Sequence, residues 1–140
     1  MKLKDLEIKV HHLGIAVSKM EASIKAYENL GWELEGSVTD DEIRNVQIAF
    51  MKHGATGEMI ELISPIGEDS PVTGILKTMR KVATPYHICY GVKDLERALE
   101  ALEDEHYMLT DEAKPAPAIG GRRVAFLMSR DGGLIELLEE

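Results

Sequence analysis

Apolar and polar residues alternate over residues 8–17, with β-branched side chains recurring at period two, and this spacing predicts a strand. On such a strand His12, Gly14 and Ala16 share one face and Leu13, Ile15 and Val17 the other. The period then lengthens. Ile24, Tyr27 and Leu30 fall at helical spacing, Ser18 stands where an N-cap is needed, and Gly31 ends the run. Three more strands are predicted over 32–37, 46–52 and 58–63, so the unit reads βαβββ.

The same order returns 75 residues later. His12 opens HLGIAVSKMEASIKAYENLGWEL and His87 opens HICYGVKDLERALEALEDEHYML. A strand is predicted near 87–92, a helix over 94–104, and strands near Tyr107 and over 123–129 and 134–138. Gly120-Gly121 and Asp131-Gly132-Gly133 mark the hairpin turns. Module one covers about 8–63 and module two about 85–140. In the polar linker over 64–84, Ser70-Pro71 is a helix start, which predicts a short helix over 72–79. At 140 residues the chain is one domain, and the repeat is internal to it.

The faces of the repeated strands differ in bulk. Beyond His12 come Gly14 and Ala16, and beyond His87 come Cys89 and Gly91, small residues that leave room where a packed core would place Val or Leu. The opposite faces, Leu13, Ile15 and Val17, and Ile88, Tyr90 and Val92, are bulky enough to pack under the helices. Each His is followed 49 residues later by a Glu in an aliphatic run: Glu61 in MIELI and Glu136 in LIELL. A carboxylate among aliphatics on a buried strand costs several kcal/mol unless it is paired, protonated or bound to metal. Taken singly, each residue has a plain structural alternative, a solvent-facing Glu or a core His bonded to backbone. Repeated as a set, His12, Glu61, His87 and Glu136 supply two imidazoles and two carboxylates, a ligand set for one divalent metal.

Composition narrows the partners. Hydrophobic residues at 44% and charged residues at 29% are globular values, and no stretch approaches the roughly 18 apolar residues of a membrane span. The start MKLKDLEIKV leads into no apolar signal segment, and Cys89 is the only cysteine, which together favour a reducing cytoplasm. A net charge of −9 argues against nucleic acid and anionic membrane, leaving a small molecule as the expected ligand.

The segments HHLGIAV, IELISPIGEDSP, PYHICYGVKDL and GGLIELLE resemble those of the vicinal oxygen chelate superfamily, over nearly the whole span from His12 to Glu136. The resemblance implies an α+β fold in which two βαβββ modules form a curved, barrel-like mixed sheet around a metal site, the glyoxalase/bleomycin resistance/dioxygenase fold. Within the superfamily the ligand order His, Glu, His, Glu is similar to that of bacterial glyoxalase I (lactoylglutathione lyase). The expected activity is therefore conversion of the hemithioacetal of methylglyoxal and glutathione to a 2-hydroxyacyl thioester, with nickel, cobalt or zinc as Lewis acid. Glu136 is expected as the base and Glu61 as its counterpart on the other face of the substrate. The alternative is methylmalonyl-CoA epimerase-like isomerisation, a related proton transfer on an acyl thioester. Epimerases typically carry Gln at the second ligand place and a further Glu on the preceding strand, where Gln47 stands here. A second alternative is a non-catalytic small-molecule-binding, resistance-type protein. A homodimer is the expected assembly.

Arg44, Arg122 and Arg123 flank the strands and are candidates for holding a carboxylate of glutathione or a CoA phosphate, or else they balance an acidic surface. His11 is expected to face away from His12, His53 and His106 to be solvated, and Cys89 to fill space. Trp32 and Phe50 either shape the cavity or fill the core.

Overall fold

A computed structural model describes residues 3–140. The chain forms two compact units: His12–Tyr86, and His87–Glu140 together with the segment that ends at His11. The boundary thus falls later than the expected start of module one, because the residues before His12 pack with the second unit. Leu6 and Ile8 join its core.

In the first unit β1 (Lys9–Ala16) contributes its part from His12 onward. It is followed by α1 (Met20–Glu28), β2 (Trp32–Asp41), β3 (Val46–His53), β4 (Met59–Pro65) and α2 (Thr73–Thr78). The strands lie in the order β2-β3-β4-β1, antiparallel except for the parallel pair of β1 with β4. The second unit repeats this plan with the part of β5 (Thr84–Val92) from His87 onward, α3 (Leu95–Asp104), β6 (Met108–Pro115), β7 (Arg123–Ser129) and β8 (Gly133–Glu139), ordered β5-β8-β7-β6 with β5 parallel to β8. The predicted βαβββ order is what each unit adopts. β2 and β6 run several residues beyond the expected stretches near their starts.

One face of each sheet is covered by its helix. Ile15, Val17, Ala49, Met51, Ile60 and Leu62 form the core under α1, joined by Met20, Ile24 and Tyr27. Val92, Leu127, Ile135 and Leu137 do the same under α3, with Leu95, Ala98 and Leu102 from the helix. Ile88 departs from the expectation: in the middle of β5 it is 40% exposed and is not among the residues of that core.

The two helices start differently. Asp94 caps α3, its Oδ1 accepting the Arg97 backbone N–H at 3.1 Å. Lys19, not Ser18, stands at the N-cap of α1, and no side chain caps that end. His53, expected to be solvated, instead latches the first hairpin. Its Nε2 lies 2.9 Å from the Leu30 carbonyl, and its ring meets Trp32 edge to face. His106 is exposed at the end of α3, where its positive φ of 69° turns the chain.

Candidate functional site

Register places the chemistry on the sheet faces turned away from the helices. In the first unit Gly14 pairs with Glu61, and Glu61 with Phe50, and Phe50 with Glu35, so these four form one row across the strands. The second unit has the same row in Cys89, Glu136, Phe126 and Asp111. Glycine or cysteine beside the carboxylate keeps bulk off its flank, as the alternation implied.

Each Glu meets the His of its own unit. His12 Nε2 lies 3.4 Å from Glu61 Oε1, and His87 Nε2 lies 3.2 Å from Glu136 Oε1. All four residues are buried, with relative exposures of 1% to 4%. Each imidazole is also held by a phenylalanine ring, His12 against Phe50 at 5.1 Å between centroids and His87 against Phe126 at 5.4 Å, both nearly perpendicular. Phe126 escaped the sequence reading. The signal was present, since Ile48-Ala49-Phe50-Met51 recurs as Val124-Ala125-Phe126-Leu127. The offset there is 76 rather than 75, because the second hairpin is one residue shorter between the Phe and the Glu.

The donor set fits a divalent metal. Two ligands bound at about 2.1 Å to one ion stand about 3.0 Å apart at an octahedral angle and about 3.4 Å at a tetrahedral one. The observed His–Glu separations fall in that interval. Burial adds that each dry carboxylate facing an imidazole nitrogen needs a shared cation or proton.

The three arginines separate. Arg44 closes the β2–β3 turn, its guanidinium 3.2 Å from buried Asp41, whose other oxygen accepts the Ile43 and Arg44 backbone N–H groups. Arg123 lies on the helix side and donates to Glu139 and Glu96, bonds that raise its own pKa and lower that of Glu139. Arg122 is exposed at the start of the second hairpin, with Nε donating to the Ile119 carbonyl at 3.2 Å.

Gln47 is not on the site face. It pairs with Ser64 on the helix side and donates to Asp40, while Ile48, one residue on, shares the face of Glu61 and Phe50. The face of β3 nearest Glu61 therefore carries Val46, Ile48 and Phe50, none of them titratable.

Comparison with known proteins corrects the expected activity. The chain is 33% identical to the ethylmalonyl-CoA/methylmalonyl-CoA epimerase of Cereibacter sphaeroides over 132 residues, covering 92% of this chain and 96% of that one. It is likewise 33% identical to the mitochondrial methylmalonyl-CoA epimerase of Homo sapiens over 94% of this chain and 73% of that protein. Among solved structures it superposes on methylmalonyl-CoA epimerase from Mycobacterium tuberculosis with a TM-score of 0.80 and 26% identity, over 94% of this chain and 87% of that one.

Glyoxalase I chemistry, with its hemithioacetal substrate and methylglyoxal detoxification, is overturned by these relatives in favour of the isomerase alternative. The reason is physical. Two His and two Glu specify where charge is stabilised beside a carbonyl, and that requirement is common to both reactions, so the ligand types cannot choose the substrate. No helix among the described residues is long and apolar enough to cross a membrane. Residues 11–126 match the Glyoxalase/Bleomycin resistance protein/Dioxygenase superfamily model, and the chain belongs to that superfamily.

Proposed function

We propose that this chain is a metal-dependent epimerase that inverts the α-carbon of a 2-alkylmalonyl-CoA thioester, methylmalonyl-CoA foremost. The observation that carries the reading is the duplicated buried His–Glu pair in a chain that aligns almost end to end with an ethylmalonyl-CoA/methylmalonyl-CoA epimerase. His12, Glu61, His87 and Glu136 would hold one divalent ion, nickel, cobalt or zinc, which supplies Lewis-acid stabilisation of the negative charge that develops beside the thioester.

The chain's own residues do the rest. Glu136 removes the α-proton from one face of the substrate and Glu61 returns one to the other, the repeat providing a carboxylate for each face. The assignment of both roles to these residues is supported by the apolar face of β3 and by burial, which sets Glu61 apart from the exposed Glu35 of the same row. Gly14 and Cys89 leave room beside the two carboxylates. Phe50 and Phe126 fix the imidazole planes and keep water off them. Arg122 offers its terminal nitrogens to an anionic part of the substrate, whereas Arg44 and Arg123 are engaged in structural ion pairs.

The test is exchange. Metal-loaded protein incubated in deuterium oxide with a single enantiomer of methylmalonyl-CoA is expected to place deuterium at C2 and abolish optical purity, and chelation is expected to stop both. Absence of exchange with every metal would overturn the reading.

A further inference from the structure

The chain carries 25 acidic residues and a net charge of −9, yet none of those acids lies between Asp69 and Asp94. That gap holds α2 and the turn after it, where Lys77, Arg80 and Lys81 stand exposed beside exposed Met79 and Val82. Among the described residues none of the three cations makes an ion pair or a side-chain hydrogen bond. Their backbone is strained. Arg80 has a φ of 55° and Lys81 of 66°, the one adjacent pair of non-glycine residues with positive φ among those described. The end of α2 is the cause: the Lys81 N–H donates to the Leu76 carbonyl at 2.7 Å and the Arg80 N–H to that of Lys77 at 3.3 Å, closing bonds whose first outer position favours glycine. Attraction to the helix end explains little of this, because α2 has only 6 residues and the carbonyls of Ile75, Leu76 and Lys77 already accept backbone bonds. Two long cations thus occupy positions where glycine would serve the fold better.

Strain kept for charge points to an anion. The segment leaves β4, which carries Glu61, and leads to β5, which carries His87. Lys81 precedes His87 by six residues, a length of chain that spans at most about 22 Å. The pantetheine arm of coenzyme A, built like about four residues of extended chain, covers about 15 Å between the thioester sulfur and the first phosphate. We propose that Lys77, Arg80 and Lys81 bind the phosphates of the coenzyme A moiety, while Met79 and Val82 offer apolar contact to its adenine. This rests on the epimerase reading and deepens it by naming where the nucleotide is held. Arginine brings a planar fork to phosphate oxygens and lysine a point charge, and an acid-free surface lets the three fields add.

Calorimetric titration with coenzyme A itself tests this on metal-loaded wild type and on the variant K77Q/R80G/K81G. The variant is expected to bind roughly 10- to 30-fold more weakly, the sum of three solvent-facing contacts, and to lose most of the salt dependence seen in wild type. Its melting temperature is expected at or above that of wild type, because glycine relieves both left-handed residues. A merely structural role for the cations would lower stability instead. Should the triple variant not fold, K77Q, R80Q and K81Q made singly are each expected to weaken binding about two- to threefold. Affinity of the triple variant within about twofold of wild type would overturn the inference, as would a wild type that does not bind coenzyme A. Binding that depends on the three cations in a protein unable to exchange the α-proton of methylmalonyl-CoA would strike the epimerase reading alone. An active epimerase indifferent to the three substitutions would strike the inference alone.

Discussion

Across the first unit the row through the buried carboxylate reads Gly14, Glu61, Phe50, Glu35, and across the second it reads Cys89, Glu136, Phe126, Asp111. Small residue, carboxylate, aromatic, acid: the pattern is kept, and each carboxylate meets a His at nearly the same distance. One row further on the units part, with Thr39 in one and Lys114 in the other. The helices part as well, α3 being capped by Asp94 and α1 by no side chain. Positions closest to the buried pair are thus constrained alike in both copies. Outer strands and helix ends are where the copies differ.

The equivalence of the two carboxylates is the part of this comparison most open to attack. E136Q and E61Q are each expected to reduce epimerisation by about a thousandfold, since each removes one of two proton-transfer groups. A single remaining base still exchanges the α-proton on its own side. NMR in deuterium oxide should therefore show E136Q labelling one enantiomer without inversion and E61Q labelling the other. Full turnover by E61Q would break the equivalence and make Glu61 a ligand only.

The aromatic supports give the next largest effect. F50A and F126A each remove a half-buried ring from its His and are expected to destabilise by about 2 to 3 kcal/mol, at the low end for Phe truncation because neither ring is fully buried. Urea unfolding of the two variants checks this. A pair of values differing by more than about 1.5 kcal/mol would mean that one unit carries more of the fold.

Much of this comparison was legible in the chain. The 75-residue offset, the 49-residue His–Glu spacing and the small residues beyond each His single out the His–Glu pairs and the βαβββ plan. What escaped has particular causes. Gln47 was taken for the site position on β3, but faces alternate every residue, and a reading one residue out puts the wrong side chain at the site; Ile48 stands there. Phe126 was hidden by the single deletion in the second hairpin. Asp111 and Lys114 lie on β6, whose pairing with β7 is interrupted on both sides of Asp111, so no period-two pattern announces the strand. Ser18 had the chemistry of a cap but not the position. The substrate was out of reach for a different reason, because residues that stabilise a developing charge are indifferent to what lies beyond the reacting carbon.

The helix ends offer a smaller test. D94A is expected to cost about 1 kcal/mol through loss of the bond to the Arg97 N–H, while S18A should stay within about 0.5 kcal/mol of wild type. Equal losses in thermal unfolding would show that α1 draws on Ser18 after all, and that the two units begin their helices alike.

The smallest expected effect lies in the ion cluster of the second unit, where Arg123 joins Glu139 of β8 to Glu96 of α3. Hydrogen bonding to Arg123 holds the Glu139 carboxyl below the ordinary carboxylate range. A depressed folded-state pKa means that the unfolded chain binds the proton first. The contribution is therefore complete above the unfolded value of about 4.3 and is lost as pH falls through the lower, folded one. Both groups reach solvent, so the effect is small and salt weakens it. Wild type and E139Q should differ slightly in Tm at pH 7 and converge as the pH drops below 4, and 1 M salt should bring them together at pH 7. A difference that persisted at low pH would assign the role of Glu139 to packing rather than charge, and the contrast between the two units would then rest on Lys114 and the helix caps alone.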